Sequence, residues 1–258
     1  QSSAASDVYK RQITLLFKAI LKKEWFGMHS NKYTLGFMTI VTVILGSFLS
    51  VAAGSLKEIQ ELNVENDSKK NILSCLGFKE DPKSPWGPDE IQNKFNKNIT
   101  AIVLDINGKR TDLDPKTIDA ETDEKNFPIY ISKVDDKIEG YAIPISGKGL
   151  WSTLYGFFAI EPDGVTAKGI TFYAHKETPG LGGEVDKAWF QNNFVGKKFI
   201  DEQGELVGIK VVKGKADPTS SYEVDGISGA TITSKGLESF LVDDLKKYEP
   251  FLKNVREG

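Results

Sequence analysis

The sequence predicts an α+β protein: one N-terminal transmembrane helix, then an exported domain of antiparallel sheet with flanking helices. Three observations carry this. A 24-residue stretch, Tyr33 to Leu56, holds no charged side chain. Several later segments alternate apolar and polar residues between glycine-rich bends. The last segment repeats apolar residues at steps of three and four.

The order of elements follows from local chemistry. The opening "QSSAASDVYKRQ", residues 1–12, reads as a translated cloning or sequencing adapter and is set aside as a non-native leader. Residues 13–32, with "ITLLFKAILKKEWF", place lysines between apolar residues at helical spacing, as in a helix lying along the inner membrane surface. Residues 33–56 are long enough to cross the roughly 30 Å hydrocarbon core. A cleaved signal peptide is the alternative, since "SVAAG" offers small residues, but its apolar core would be shorter. Lys18, Lys22, Lys23 and Lys32 precede the span, whereas Lys57, Lys69 and Lys70 follow it among four acids. The basic bias puts the N-terminus in the cytoplasm and the remainder outside the inner membrane of a bacterium, in the periplasm.

Residues 57–125 form a connecting, accessory α/β part. A helix leaves the membrane, "KEDPKSPWGPDE" makes a turn-rich link, "IQNKFNKNIT" a short helix, and "AIVLDINGKRT" a strand with an Asn-Gly hairpin turn. From residue 126 the pattern is strand-rich: "PIYISKV", two apolar runs around the bend in "IEGYAIPISGKGLWSTLYGFFAIEPDG", then "VTAKGITFYAHKE" and "LVGIKVVKG". "VDKAWFQNNF" reads as a helix. So does "SKGLESFLVDDLKKYEPFLKNV", whose Leu237, Leu241, Leu245 and Tyr248 form one stripe and whose Pro250 ends or kinks it.

Composition narrows the chemistry. A net charge of −3 gives no general case for nucleic-acid binding. One cysteine, Cys75, and two histidines, His29 and His175, exclude an intrachain disulfide and argue against a His/Cys metal site. No dinucleotide fingerprint, Walker loop or nucleophilic triad is present.

Three segments remain. "GKGLWSTLYG", residues 147–156, brackets Trp151 with glycines; it is either a hairpin with a core Trp or a platform for a flat ligand. "HKETPGLGGE", residues 175–184, is a tight loop, either a plain turn or a close approach to a ligand through Glu177 and Thr178. "DGISGATITS", residues 225–234, precedes the last helix, whose N-terminus favours phosphate. Thr231 or Thr233 can equally be an N-cap there.

Taken together, the segments resemble a known family. "SGATITS" after Asp225 resembles the flavinylation motif of the FMN-binding domain family, and the set, with the single span, is similar in order and spacing to the C subunits of sodium-pumping NADH:quinone oxidoreductases over residues 13–258. That resemblance implies an FMN-binding domain at 126–258 and FMN joined by a phosphoester to Thr231. It implies that Asp225, Gly226, Ser228, Gly229 and Ala230 form the signal read by a flavin transferase, leaving Thr233 and Ser234 as helix caps. It places Leu150, Trp151, Ser152, Glu177, Thr178, Leu181 and Gly182 beside the flavin ring. It assigns Lys213, with Lys215 as alternative, to negative charge on the reduced ring. It implies an electron-transfer flavoprotein, partnered by the other subunits of a complex that couples NADH oxidation by ubiquinone to sodium export. The G subunits of Rnf ferredoxin:NAD oxidoreductase complexes share the motif and topology, but are typically shorter. An exported scaffold without cofactor is the alternative from a different class.

Overall fold

The computed structural model describes residues 31–135 and 137–258; the expected leader and nearly all of the expected interfacial segment lie outside them. The chain divides into two units, residues 1–60 and 61–258.

Helix α1, Asn31–Cys75, starts in the first unit and ends in the second. Its most apolar 18-residue window has a mean hydropathy of 2.1, and none of that window is buried among the described residues. By length and composition α1 can cross a membrane.

In the second unit, Ile72, Leu73 and Cys75 at the end of α1 are buried. Helix α2, Pro88–Asn98, opens with proline and with Asp89 and Glu90 in its first turn, which suit the free N–H groups there. It buries Ile91 and Phe95, one turn apart. Strands β1 (Ile99–Asp105), β2 (Arg110–Thr111), β3 (Asn126–Val134), β4 (Lys137–Lys148), β5 (Thr153–Ile160) and β6 (Ala167–Ala174) form one sheet in the order β2-β1-β3-β4-β5-β6. Every neighbouring pair is antiparallel. The Asn107-Gly108 turn joins β1 to β2, with Gly108 at φ 73°. The β1–β3 ladder runs from Ile99↔Ser132 to Asp105↔Asn126, joining residues on both sides of the expected 125/126 boundary.

Alternation along the strands gives the sheet two apolar faces. Ile129, Ile143, Ile145 and Phe158 enter one core; Tyr130, Ala142 and Phe157 pack into the other, with Leu73, Leu76, Ile91 and Phe95. Helix α4, Thr231–Glu257, covers the first face with Leu237, Leu241, Leu245, Tyr248 and Leu252, all nearly inaccessible. Three contacts fix its position. Asp244 Oδ2 accepts the Ser146 N–H at 2.8 Å. The Tyr248 hydroxyl donates to the Pro128 carbonyl at 2.8 Å. At Gly236 a Cβ would lie 2.2 Å from the Lys148 carbonyl oxygen, so only glycine lets α4 approach the end of β4 this closely. The N-terminus of α4 is thereby held beside the β4–β5 bend.

Some expectations are corrected. Pro250 does not end α4, which continues to Glu257. "LVGIKVVKG" supplies only two residues of strand, β7 (Lys210–Val211), paired in parallel with β8 (Glu223–Val224). Gly208, at φ 74°, interrupts the segment, and the Val207 and Gly208 N–H groups both donate to the Phe199 carbonyl. "VDKAWFQNNF" is a single α-turn, α3 (Ala188–Gln191), between two 3₁₀ turns, Gly182–Asp186 and Asn192–Phe194, with Phe190 and Phe194 buried.

Candidate functional site

The three segments singled out in the sequence converge on the N-terminus of α4. The link is the Glu177 carboxylate, which is only 5% exposed. One oxygen, Oε1, accepts the N–H groups of Trp151 at 2.7 Å and Ser152 at 3.1 Å. The other, Oε2, accepts the Thr233 hydroxyl at 2.7 Å. Burial alone would raise the pKa of this carboxyl. The donors outweigh it: the Trp151 N–H, the Thr233 hydroxyl and the Ser152 and Leu150 N–H groups hold it below its ordinary value. A further bond runs the other way, from the Lys176 N–H to Ser152 Oγ at 2.7 Å. The β4–β5 bend, the Glu177 loop and the first turn of α4 are therefore one hydrogen-bonded body.

The motif at 225–231 is shaped by alternate burial. Ile227 and Ala230 are buried, while Ser228, Gly229 and Thr231 face outward. Gly229 has φ 73°, which strains any side-chain-bearing residue, and a Cβ there would meet Leu181 Cδ2 at 2.7 Å. Asp225 pairs with Lys215 at 2.5 Å and accepts the Ala216 N–H at 2.9 Å; the lysine first, then the N–H, depresses its carboxyl pKa. With the bond from the Gly226 N–H to the Gly214 carbonyl, this folds residues 213–216 against the motif.

Thr231 is the first residue of α4 and is exposed; Ala230 occupies the cap position and no side chain among the described residues caps the helix. The expectation that Thr233 and Ser234 cap it is corrected. Both lie inside the helix, Thr233 bonded to Glu177 and Ser234 buried with its Oγ unpaired among the described residues. A cleft of about 480 Å³ opens here, lined by Lys213, Lys215, Ser228, Gly229, Thr231, Ser234, Lys235 and Glu238 among others. Its volume falls in the range of small-ligand sites.

Of the remaining expected residues only Lys213 lines this cleft; the others lie on the neighbouring loops. Leu181 stands where a Cβ on Gly229 would be, and Leu181, Leu150 and Trp151 are exposed apolar side chains, at 43%, 42% and 72%. Trp151 and Ser152 line a second cleft of about 620 Å³ with Tyr155, Tyr173, His175, Lys176 and Asp186. Thr178 is exposed, and its carbonyl accepts the N–H groups of Leu181 and Gly183. Gly182 is buried against Glu177 and Thr233, where a Cβ would lie 2.5 and 2.7 Å from their oxygens. Sequence reasoning missed Lys235 and Ser234 as lining residues. Helical spacing carried the signal, since both fall within four residues of Thr231. Among the described residues, no group of three or more His, Cys, Asp or Glu is placed to hold a metal.

Residues 149–245, which take in the second and third segments and all but the first two residues of the first, match the FMN-binding domain family. The chain is 36% identical over 261 residues to the C subunit of the Na(+)-translocating NADH-quinone reductase of Pseudomonas aeruginosa, covering 90% of this chain and 98% of that protein. It is 36% identical to the corresponding protein of Yersinia pestis, covering 88% and 96%. The crystal structure of the C subunit from Parabacteroides distasonis superposes with a TM-score of 0.67 at 34% identity, over 76% of this chain and 96% of that one. The chain thus belongs to the family of C subunits of the Na(+)-translocating NADH-quinone reductases.

Proposed function

We propose that this chain is the membrane-anchored electron-transfer subunit of a Na(+)-translocating NADH:quinone oxidoreductase, carrying FMN through a phosphoester to Thr231. The observation that carries the reading is the start of α4. An exposed threonine stands at an uncapped helix N-terminus, on the rim of a cleft lined by Lys213, Lys215 and Lys235. Free helix N–H groups and lysines both favour an anion, at about 0.3–1 kcal/mol for the helix dipole alone. Ser228, Gly229 and Ala230 leave room for a bulky group at Thr231, and Asp225 holds the loop that completes the cleft wall. Nothing in this arrangement needs a thiolate or imidazole.

The bound group supplies the redox chemistry, and the chain supplies position and charge. Leu150, Trp151 and Leu181 offer exposed apolar area to a flat ring near the attachment point. Glu177, Thr178 and Gly182 set the loop that carries Leu181, Glu177 also holds Trp151 and Ser152, and Lys213 lies where it can offset negative charge on the ring. In this reading α1 spans the bacterial inner membrane, with the N-terminus cytoplasmic and residues 61–258 periplasmic. A flavin transferase performs the attachment, and the other subunits of the complex deliver and remove electrons.

The test is Thr231→Ala in the full chain, co-expressed with the flavin transferase. The parent is expected to show flavin fluorescence on a denaturing gel and the variant none, with folding intact because Thr231 is exposed. Undiminished fluorescence in the variant would contradict the assignment.

A further inference from the structure

Ser234 has a buried hydroxyl for which the attachment reading has no use. The residue is 5% exposed, its Oγ has no hydrogen-bond partner among the described residues, and it lines the cleft at Thr231. A serine inside a helix can usually return its hydroxyl to the carbonyl four residues back. Here the Ala230 carbonyl accepts the Ser234 N–H at 2.9 Å, and no described residue bonds to the hydroxyl. A buried unpaired hydroxyl is destabilising, which points to a partner outside the chain itself.

Its surroundings define that partner. Ser234 follows Thr231 by three residues, which places both on one side of the helix. The N–H groups of Thr231, Ile232 and Thr233 precede the first intrahelical bond of this kind and point back out of the N-terminus. Lys235 and Lys213 line the same cleft and form no ion pair among the described residues. Lys215 is held by Asp225. The one acid on the wall, Glu238, has its Oε1 bonded to the Val211 N–H at 2.6 Å. Donors converge on the cleft, where its one acid accepts the N–H of Val211, also on the wall. A tetrahedral anion satisfies that geometry.

We infer that Ser234 is a phosphate ligand: its hydroxyl donates to a non-bridging oxygen of the phosphodiester on Thr231, beside the first-turn N–H groups, with Lys235 supplying charge. The inference rests on Thr231 being the attachment point. It makes the unmodified chain carry a destabilising orphan that modification satisfies, so the same side chain acts with opposite sign before and after flavin attachment.

The experiment uses the full chain, parent, Ser234→Ala and Ser234→Thr, each with and without the flavin transferase. Without modification, Ser234→Ala is expected to melt at or above the parent temperature. After modification it is expected to lose about half or more of the parent's gain in Tm, one charge-assisted bond among the few a phosphate makes. Its ³¹P resonance should move, while Ser234→Thr keeps both parental values. A lower Tm for unmodified Ser234→Ala, or a full gain with an unmoved ³¹P signal, overturns the inference. A parent chain whose Thr231 peptide gains no FMN mass sinks the attachment reading instead, and the two failures are thereby distinct.

Discussion

Glu177 offers the sharpest perturbation, because one carboxylate ties three segments together. Replacement by alanine leaves the Thr233 hydroxyl, on a residue 1% exposed, without its acceptor, and frees the N–H groups of Trp151 and Ser152. A bond to a charged acceptor is worth roughly 1.5–3 kcal/mol. The two N–H groups sit at the solvent edge, where water replaces part of the loss. The sum is about 3–5 kcal/mol for Glu177→Ala. Glutamine keeps an acceptor for the two N–H groups and can offer its amide to Thr233 Oγ1, so Glu177→Gln should cost about 1–2 kcal/mol. At about 2–4 °C per kcal/mol for a domain of this size, Tm should fall by roughly 6–20 °C for alanine and 2–8 °C for glutamine. The pH dependence has a defined sign. The folded-state pKa of Glu177 is depressed, so its contribution is full above the unfolded value of about 4.3 and is lost as pH falls through the folded value. The gap between parent and Glu177→Gln should hold at pH 7 and close on acidification below about pH 4. Thermal melts of the full chain across this range are the assay. Equal effects of alanine and glutamine, or a gap that widens in acid, would refute the account.

Two further substitutions probe how α4 is held. Burial pushes the Asp244 carboxyl up, against the opposing pull of Lys247 and the Ser146 N–H. A raised folded pKa contributes stability only while the group is protonated, and that contribution is lost as pH rises through it. Asp244→Asn, which keeps an acceptor for Ser146, should therefore raise Tm relative to the parent more at pH 7 than in acid; equal differences by calorimetry would contradict this. Gly236→Ala places a Cβ 2.2 Å from the Lys148 carbonyl oxygen, with backbone rather than a flexible side chain in the way. It should cost about 1–3 kcal/mol by denaturant titration, and a neutral outcome would show that α4 is not seated as described.

The sheet was legible because its signals are local. The Asn107-Gly108 turn, the alternation in 126–134 and the glycine-rich bend at 147–153 each specify their own hairpin. The stripe on α4 was legible for the same reason. Residues 206–214 were not: their period-two pattern reads as a strand, but Gly208 turns the backbone and Val207 and Gly208 bond to Phe199 instead of a ladder. Of the two outcomes expected at Pro250, an end or a kink, the end does not occur: Tyr248, Phe251 and Leu252 pack into the core on both sides of it and the helix continues. At the site, the sequence brought out the three segments but not their joint. The bonds from Glu177 reach residues 25, 26 and 56 positions away, and no local pattern encodes them. Thr233 and Ser234 read as caps because they precede the apolar stripe. The helix starts at Thr231, so they fall inside its first turn, where one meets Glu177 and the other lines the cleft.

The central claim is that Thr231 carries the cofactor. The most direct measurement is the mass of the peptide containing Thr231, from full chain matured with its flavin transferase. The account predicts a gain equal to FMN less one water, located on Thr231 by fragmentation and lost in Thr231→Ala. An unmodified peptide, or the same gain located on Ser228, Thr233 or Ser234, would contradict it.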